Sequence, residues 1–366
     1  MKAADQTIRQ PSNRLVESKL QGVILGTVVG DAIGLPREGL SRRRAARIFG
    51  NPPLRHRLIF GHGMMSDDGE HTCMTAQALL ASRGDPKRFA RSLAWRLRGW
   101  ILALPAGVGK ATARSIIKLW LGFPPHRSGV WSAGNGPVMR AAVIGTYAAD
   151  DPALMRQLIY ASTIMTHRDP AAEDGAVAIA IAAACGFRFG ADVSAEILLD
   201  ELRPVLRNSE LLPLLEQAAA DAAARLSIDE FLESRKMDRG ISGYINHTVP
   251  AAIFCWLRSP GDYRQAVEAI VIAGGDSDTT AAIVGGLVGA TAGIDAIPIE
   301  WRNGLMEWPR TEGWLLRLGS ALAEQIDSHR TTGSALGLAW FGLPIRNLFF
   351  LMIVIMHGLR RLLPPY

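Results

Sequence analysis

The sequence predicts an all-α fold, organised as a single compact helical domain, and three observations predict it. Alanine, leucine and glycine dominate a chain of 366 residues that is 48% hydrophobic and 20% charged, which suits a sizeable core and argues against disorder. Alternating runs of β-branched and polar residues are scarce, so nothing reads as a half-buried strand. Helix-period segments instead alternate with Gly, Pro and Asp punctuation, without a repeat of fixed period. We expect a flexible polar arm over 1–16, the helical domain over 17–318, and a C-terminal extension over 319–366 that carries an apolar helix.

The first helical segment, QGVILGTVVGDAIGLPRE, places Gly22, Gly26, Gly30 and Gly34 four residues apart on one stripe. Each glycine weakens a helix by roughly 1 kcal/mol relative to alanine, a disadvantage that is offset where another backbone approaches closely. Gly285 and Gly289 repeat the spacing, so the two helices are expected to pack together or against a common neighbour. In lipid this pattern would mark transmembrane dimerisation, but these segments are short and Asp31 interrupts the first. Further on, FARSLAWRLRGWILAL (89–104) puts Phe89, Leu93, Leu97, Trp100, Ile101 and Leu104 on one helical face. ALMRQLIYASTIM (153–165) and LLPLLEQAAADAAARL (211–226) read similarly.

Charge is uneven within a formal total of +6. From Pro86 to Ala149 there is no Asp or Glu, so that segment is either a solvated basic face or a surface for an anionic ligand. Cys73, Cys185 and Cys255 are scattered in apolar helical contexts and read as buried thiols of a reducing compartment. The opening MKAADQTIRQPSNR is polar, unlike a secretory leader, and the expected location is cytoplasmic. Near the end, LFFLMIVIM (348–356) is too short to span a bilayer, which takes about 20 residues. It is expected to dock on the domain, on another subunit, or on a membrane surface as a peripheral contact.

Two acidic blocks carry the chemistry. MMSDDGEHTCMT (64–75) and AGGDSDTTAAIVGGLVGA (273–290) each set paired carboxylates and hydroxyls where a helix of small residues begins. N-capping explains one acid or hydroxyl at each start, and Asp67 with Glu70 has the spacing of a capping box, but neighbours are left over. Four carboxylates brought together without a counter-charge would have raised pKa values and destabilise the fold. Hard divalent cations resolve the conflict, because magnesium, manganese and calcium take carboxylate and hydroxyl oxygens in six- to eight-fold shells. Two ions suit four aspartates better than one. No Cys/His spacing suggests zinc, AGVGKAT (106–112) lacks the first glycine of a phosphate loop, and no Gly-x-Ser-x-Gly elbow is present.

Five successive segments, GVILGTVVGDAIGLPRE, SDDGEHT, SAGNGPVMRAA, THRDPAAEDGAVAIA and GGDSDTTAAIVGGLVGA, resemble the blocks of the ADP-ribosylglycohydrolases, which include the dinitrogenase reductase-activating glycohydrolases. The resemblance runs in order from about Gly22 to Pro298. It implies a compact all-α domain with two Mg²⁺ or Mn²⁺ ions in a cleft, and hydrolysis of the bond at the anomeric carbon of ADP-ribose. By position, Ser66, Asp67, Asp68, Asp276, Asp278 and Thr279 would be the metal ligands, and Glu38 the acid–base or gating carboxylate at the cleft mouth. Asn135 and Gly136 would meet ribose and phosphates, and His167 would contact the ligand. The implied substrate is an ADP-ribosylated protein or a small ADP-ribosyl compound, with no sequence-specific nucleic-acid binding. Gly69 departs from the threonine common at its position, which we expect to loosen the loop. The acid-free stretch lacks the additional aspartate of arginine-directed members, which argues against arginine-linkage specificity and shifts weight to Glu38. Two other readings share the ligands: a non-catalytic metal- and ADP-ribose-binding protein like the related lens crystallins, and a dinuclear phosphoesterase.

Overall fold

The computed structural model of the protein describes residues 13–328 and 334–364. Among them no strand occurs, only helices and isolated backbone bridges, as the composition predicts. We number the helices that build or brace the site: α1 (Asn13–Gly34), α2 (Asp67–Ser82), α3 (Pro86–Leu102), α4 (Ala141–Tyr147), α5 (Pro170–Phe189), α6 (Ile245–Arg258), α7 (Tyr263–Ile272), α8 (Ser277–Ala292), α9 (Glu312–Ser328) and α10 (Gly342–Arg360).

Helices α1 and α8 run antiparallel through the centre. Nearly every residue of α1 from Lys19 onward, and every residue of α8 from Ser277 to Thr291, is buried, which explains why both are apolar on all sides. A Cβ added at Gly22, Gly26, Gly30 or Gly34 would overlap the carbonyl of Gly289, Gly285, Ala281 or Ser277 in turn. The glycine stripe is therefore a direct backbone contact between these two helices. Tyr263 of α7 donates its hydroxyl to the Gly26 carbonyl inside the same contact. Helices α2 and α9 flank α1, while α5, α6 and α7 flank α8, and α4 packs on α5.

Three sequence expectations are redrawn. Helix α3 buries Phe89, Leu93, Leu97 and Trp100 as expected, but it stops at Leu102. Leu104 lies outside it with φ +57 and is exposed. Pro105 disfavours helical backbone at the residue before it, so the face cannot continue. The segments read as 153–165 and 211–226 are the helices Pro152–Ile164 and Leu211–Ala223. The C-terminal helix is not nine residues long but 19, since Arg346 and Asn347 are inside it. They look like an interruption in the linear sequence, yet both point to the buried face.

Residues 1–12 of the expected arm lie outside the described residues, and 13–16 form the first turn of α1. Helix α9 continues unbroken through positions 318 and 319 and packs on α1 and α2. Helix α10 is held by Arg346, whose guanidinium pairs with the buried Glu307, and by Asn347, which donates to the Ala103 carbonyl at 2.9 Å.

Candidate metal centre

The N-terminus of α2 is built on a buried carboxylate from α1. Asp31 accepts the backbone N–H of Ser66 at 2.8 Å and of Gly69 at 2.9 Å, fixing the turn that carries Asp67 and Asp68. Ser66 is the N-cap, accepting from the Asp68 N–H, so neither aspartate is the capping group. The capping-box alternative also fails, because Glu70 turns away to accept from Trp100 Nε1 and to pair with Arg310, both at 2.6 Å. Behind the turn, Glu307 accepts the Met65 N–H at 2.7 Å, and Arg346 donates to the Met65 carbonyl. A helix from the C-terminal extension thus braces the residue next to Ser66.

The N-terminus of α8 is shaped by Gly274 and Gly275, with φ +72 and +84, where any side chain would be strained. A Cβ at Gly275 would also overlap the Ile241 carbonyl, to which the Asp276 N–H donates at 2.7 Å. Asp276 holds the N-cap position without making a capping bond. Its carboxylate instead accepts from Asn135 Nδ2 at 2.7 Å. The Gly275 carbonyl accepts the N–H of Gly39 at 2.8 Å, which brings the adjacent Glu38 to the same place. Oxygens of Glu38, Asp276 and Asp278 lie within 4.8 Å of one another.

The two acidic blocks meet at Asp68. Its Oδ2 accepts from Ser66 Oγ at 3.1 Å and from Thr279 Oγ1 at 3.2 Å, across 211 residues of chain. Among the described residues no salt bridge reaches Asp31, Asp67, Asp68, Asp276, Asp278 or Glu38. One oxygen each of Asp31, Asp68 and Asp278 is buried without a hydrogen-bond partner. Burial is the largest cause holding Asp67, Asp68 and Asp278 well above the ordinary carboxylate range. The next cause is the charge of Asp31 at Asp67, of Asp67 at Asp68, and of Glu38 at Asp278. Asp31 is raised to about 7 by burial, against the pull of its two N–H donors. Crowded, unpartnered, hard oxygen donors are what divalent cations bind, and this donor set fits them.

Glu38 is the exposed member of the trio with Asp276 and Asp278, and its carboxyl is pushed upward by desolvation and then by Asp276, with Arg361 and a hydrogen bond with Asp278 opposing. Asn135 gives both hydrogens of its amide away, to Asp276 and to Thr248 Oγ1 at 3.1 Å. Its side chain therefore has only Oδ1 left to meet a ligand, as an acceptor. His167 packs on the same loop: a Cβ at Gly136 would stand 2.9 Å from its Cε1. Burial, with Arg140 second, lowers His167 to about 3, so the ring is neutral and its Nδ1 is bonded to Thr166 Oγ1 at 3.0 Å. The contacts run from His167, packed on Gly136, through Asn135 and Asp276 to Glu38 and Asp278, and Asp68 joins Ser66 to Thr279.

Two residues outside the predicted ligand set, Asp31 and Arg140, also organise this site. Asp31 was legible as an acid within a glycine-striped apolar helix, a place where an unpaired carboxylate is costly. Arg140 is fully buried and donates to His71 Nδ1, the Gly136 carbonyl, Ser162 and Thr166, so it joins the loop of Asn135 and Gly136 to α2. Other cations of the acid-free segment also bond carbonyls: Arg96 to Gln77, Arg98 to Leu119 and Lys118 to Gly129.

Comparison with known proteins agrees with this architecture. A family model described as ADP-ribosylglycohydrolase matches residues 12–332. An uncharacterised protein of Archaeoglobus fulgidus is 33% identical over 300 residues, covering 80% of this chain and 93% of its own. The ADP-ribosyl-[dinitrogen reductase] glycohydrolase of Rhodospirillum rubrum is 26% identical, over 79% of this chain and 91% of its own. A solved structure of an ADP-ribosylglycohydrolase-related protein complex superposes with a TM-score of 0.64 at 26% identity, covering 86% of this chain and 99% of that one.

Proposed function

The chain belongs to the ADP-ribosylglycohydrolase family, and from that premise we propose a metal-dependent hydrolase that removes ADP-ribose from ADP-ribosylated proteins or small ADP-ribosyl compounds. The observation that carries the reading is the junction at Asp68, where hydroxyls from two distant blocks converge beside carboxylate oxygens that lack partners. Ser66, Asp67, Asp68, Asp276, Asp278 and Thr279 would hold two Mg²⁺ or Mn²⁺ ions, with Asp31 fixing the turn beneath them. When bound, such ions supply counter-charge, grip hydroxyl oxygens and acidify a coordinated water.

The remaining work falls to side chains. Cleavage at the anomeric carbon of ribose passes through an oxocarbenium-like state and needs a proton moved at the water or at the leaving atom. Glu38 is suited to that task, since it is accessible and its carboxyl is raised above its ordinary range by desolvation and by Asp276. Asn135 Oδ1 is free to accept from a ribose hydroxyl, and the neutral His167 ring supports the loop of Gly134 and Gly136 against which the sugar would lie. The three buried thiols, raised to about 12, 11 and 12 by desolvation at Cys73, Cys185 and Cys255, are inert core residues and support a cytoplasmic location.

Purified protein incubated with Mg²⁺ or Mn²⁺ and proteins ADP-ribosylated on serine or on arginine should release free ADP-ribose. Release of AMP or phosphate would reassign the bond cleaved, and tight ADP-ribose binding without release would make the protein a binder. Glu38→Gln should lower turnover by roughly 10²–10⁴ while metal-induced stabilisation persists; unchanged turnover would remove Glu38 from the chemistry.

A further inference from the structure

Helix α10 rests on the domain by one face only. Arg346, Asn347, Phe350 and Ile353 are buried there, and the His357 ring lies 2.6 Å from the Leu58 carbonyl. On the opposite face Ile345, Leu348, Met352, Ile355, Met356 and Leu359 are each more than half exposed. Their spacing of three and four residues makes one continuous apolar stripe, roughly 20 Å long at about 1.5 Å rise per residue. Contiguous apolar surface of this kind is uncommon on a soluble monomer and marks a contact. Trp340, 75% exposed, stands just before the first turn.

A second, separate segment joins this surface. Phe60 tips the turn that α10 holds through Leu58; it is 95% exposed and has φ +46. A bulky residue in the left-handed region is unfavourable, and full exposure gives nothing back in core packing. Arg55 and Arg57 are exposed in the strand of chain leading to this tip, and Arg360 is exposed at the end of the stripe. No Asp or Glu follows Asp327 in the sequence, so from position 328 onward the charged side chains are all basic.

We infer that α10 and the Phe60 tip form a docking face for an anionic lipid bilayer, with the helix lying in the plane of the interface. An apolar stripe rimmed by arginines complements acyl chains beneath anionic headgroups. A second copy of the chain would instead bring the same cations face to face. Helix α10 is long and apolar enough by length and composition to cross a membrane, but crossing would strip Arg346 from Glu307 and strand both buried charges. Docking also sits close to the cleft, because Arg361 at the end of α10 donates to the Pro36 carbonyl at 3.3 Å, two residues before Glu38. The inference does not depend on the reaction proposed above.

The test is flotation of the full chain with vesicles of phosphatidylcholine plus phosphatidylglycerol, and with phosphatidylcholine alone, at low and high salt. Wild type should float with the anionic vesicles, less so in high salt. The double substitution Leu348→Glu, Met352→Glu should reduce partitioning at least roughly tenfold, since a buried Leu or Met side chain is worth about that much or more. Phe60→Ala should reduce it less. Melting temperature and gel-filtration mass should stay at wild-type values in both variants, because the residues are exposed. The inference is overturned if wild type fails to float with either vesicle, if the variants float as well as wild type, or if wild type is a dimer that the double variant converts to monomer without vesicle binding.

Discussion

Neutralising Asp278 should make the metal-free protein more stable and the metal-loaded protein less so. The Asp278 carboxylate is buried, with one unpartnered oxygen, and its oxygens approach those of Glu38 and Asp276 within 4.8 Å. Two full charges at that separation repel by about 3.5 kcal/mol at an effective dielectric of 20. Part of that repulsion is already relieved by protonation, because the carboxyls are held above their ordinary range. Asp278→Asn should therefore raise the unfolding free energy in chelator by about 1–2 kcal/mol. Metal ions reverse the order. At a hundredfold excess over its dissociation constant an ion stabilises the native state by about 2.7 kcal/mol, and a variant lacking an anionic ligand should keep under about 1 kcal/mol of that. Urea unfolding of both proteins, in EDTA and in excess Mn²⁺ or Mg²⁺, reads all four numbers. If Asp278→Asn is no more stable than wild type in EDTA and keeps the whole metal-induced gain, the crowded-carboxylate account of this site is wrong.

Two further substitutions probe the supports. A Cβ at Gly69 would stand 2.8 Å from Met65 Cβ and Sδ and 3.2 Å from Asp31 Oδ2, so Gly69→Thr should destabilise the protein by about 1–3 kcal/mol through overpacking. It should also weaken metal-induced stabilisation in the same urea assay. Wild-type behaviour would return Gly69 to the status of a loose loop position. Arg346→Leu leaves Glu307 buried without its cation and frees the Met65 carbonyl; the expected loss is about 3–5 kcal/mol. A loss under about 1 kcal/mol, the size of a surface ion pair, would show that α10 does not brace the centre.

What could be read from the sequence was what chain-local spacing encodes. Glycines at intervals of four state a helix face that another backbone touches, and the structure supplies the partner residues one for one. Paired acids at helix starts exceed what capping uses, and neither Asp276 nor the Asp67–Asp68 pair caps with its carboxylate. The supports were hidden for a geometrical reason. Asp31, Glu307 and Arg346 are brought to Met65 and Ser66 by tertiary packing from three distant segments, and no spacing rule connects them. Arg346 and Asn347 misled by appearing to cut an apolar run, because a linear reading ignores the 100° turn per residue that puts both on the docked face. Gly69 misled in the opposite direction: its missing side chain leaves room for Asp31, and its N–H ties the loop down.

The glycine stripe and the acidic cluster are one device, and that makes a last prediction. The α1/α8 contact does not stop short of the site: a Cβ at Gly34 would overlap the Ser277 carbonyl and stand 2.8 Å from Asp278 Cα, and Ser277 Oγ donates to the Gly34 carbonyl at 3.0 Å. The backbone approach at Gly34 therefore sets how far Glu38, four residues on, stands from Asp276 and Asp278. At the other end, Gly22 makes the same kind of contact with Gly289 and Gly293, three turns of helix away from any ligand. Alanine at either position gains roughly 1 kcal/mol of helix propensity and meets a carbonyl that cannot move without separating the helices, for a net loss of about 1–3 kcal/mol. Stability alone will not distinguish the two. Metal binding will: Gly34→Ala should lower the affinity for Mn²⁺, read by calorimetry on the folded protein, whereas Gly22→Ala should leave it near wild type. Equal affinities in the two variants would mean that α1 and α8 tolerate separation at the cleft, and that the ligand spacing is set by the loops at 38–40, 241–243 and 274–276 rather than by the helix pair.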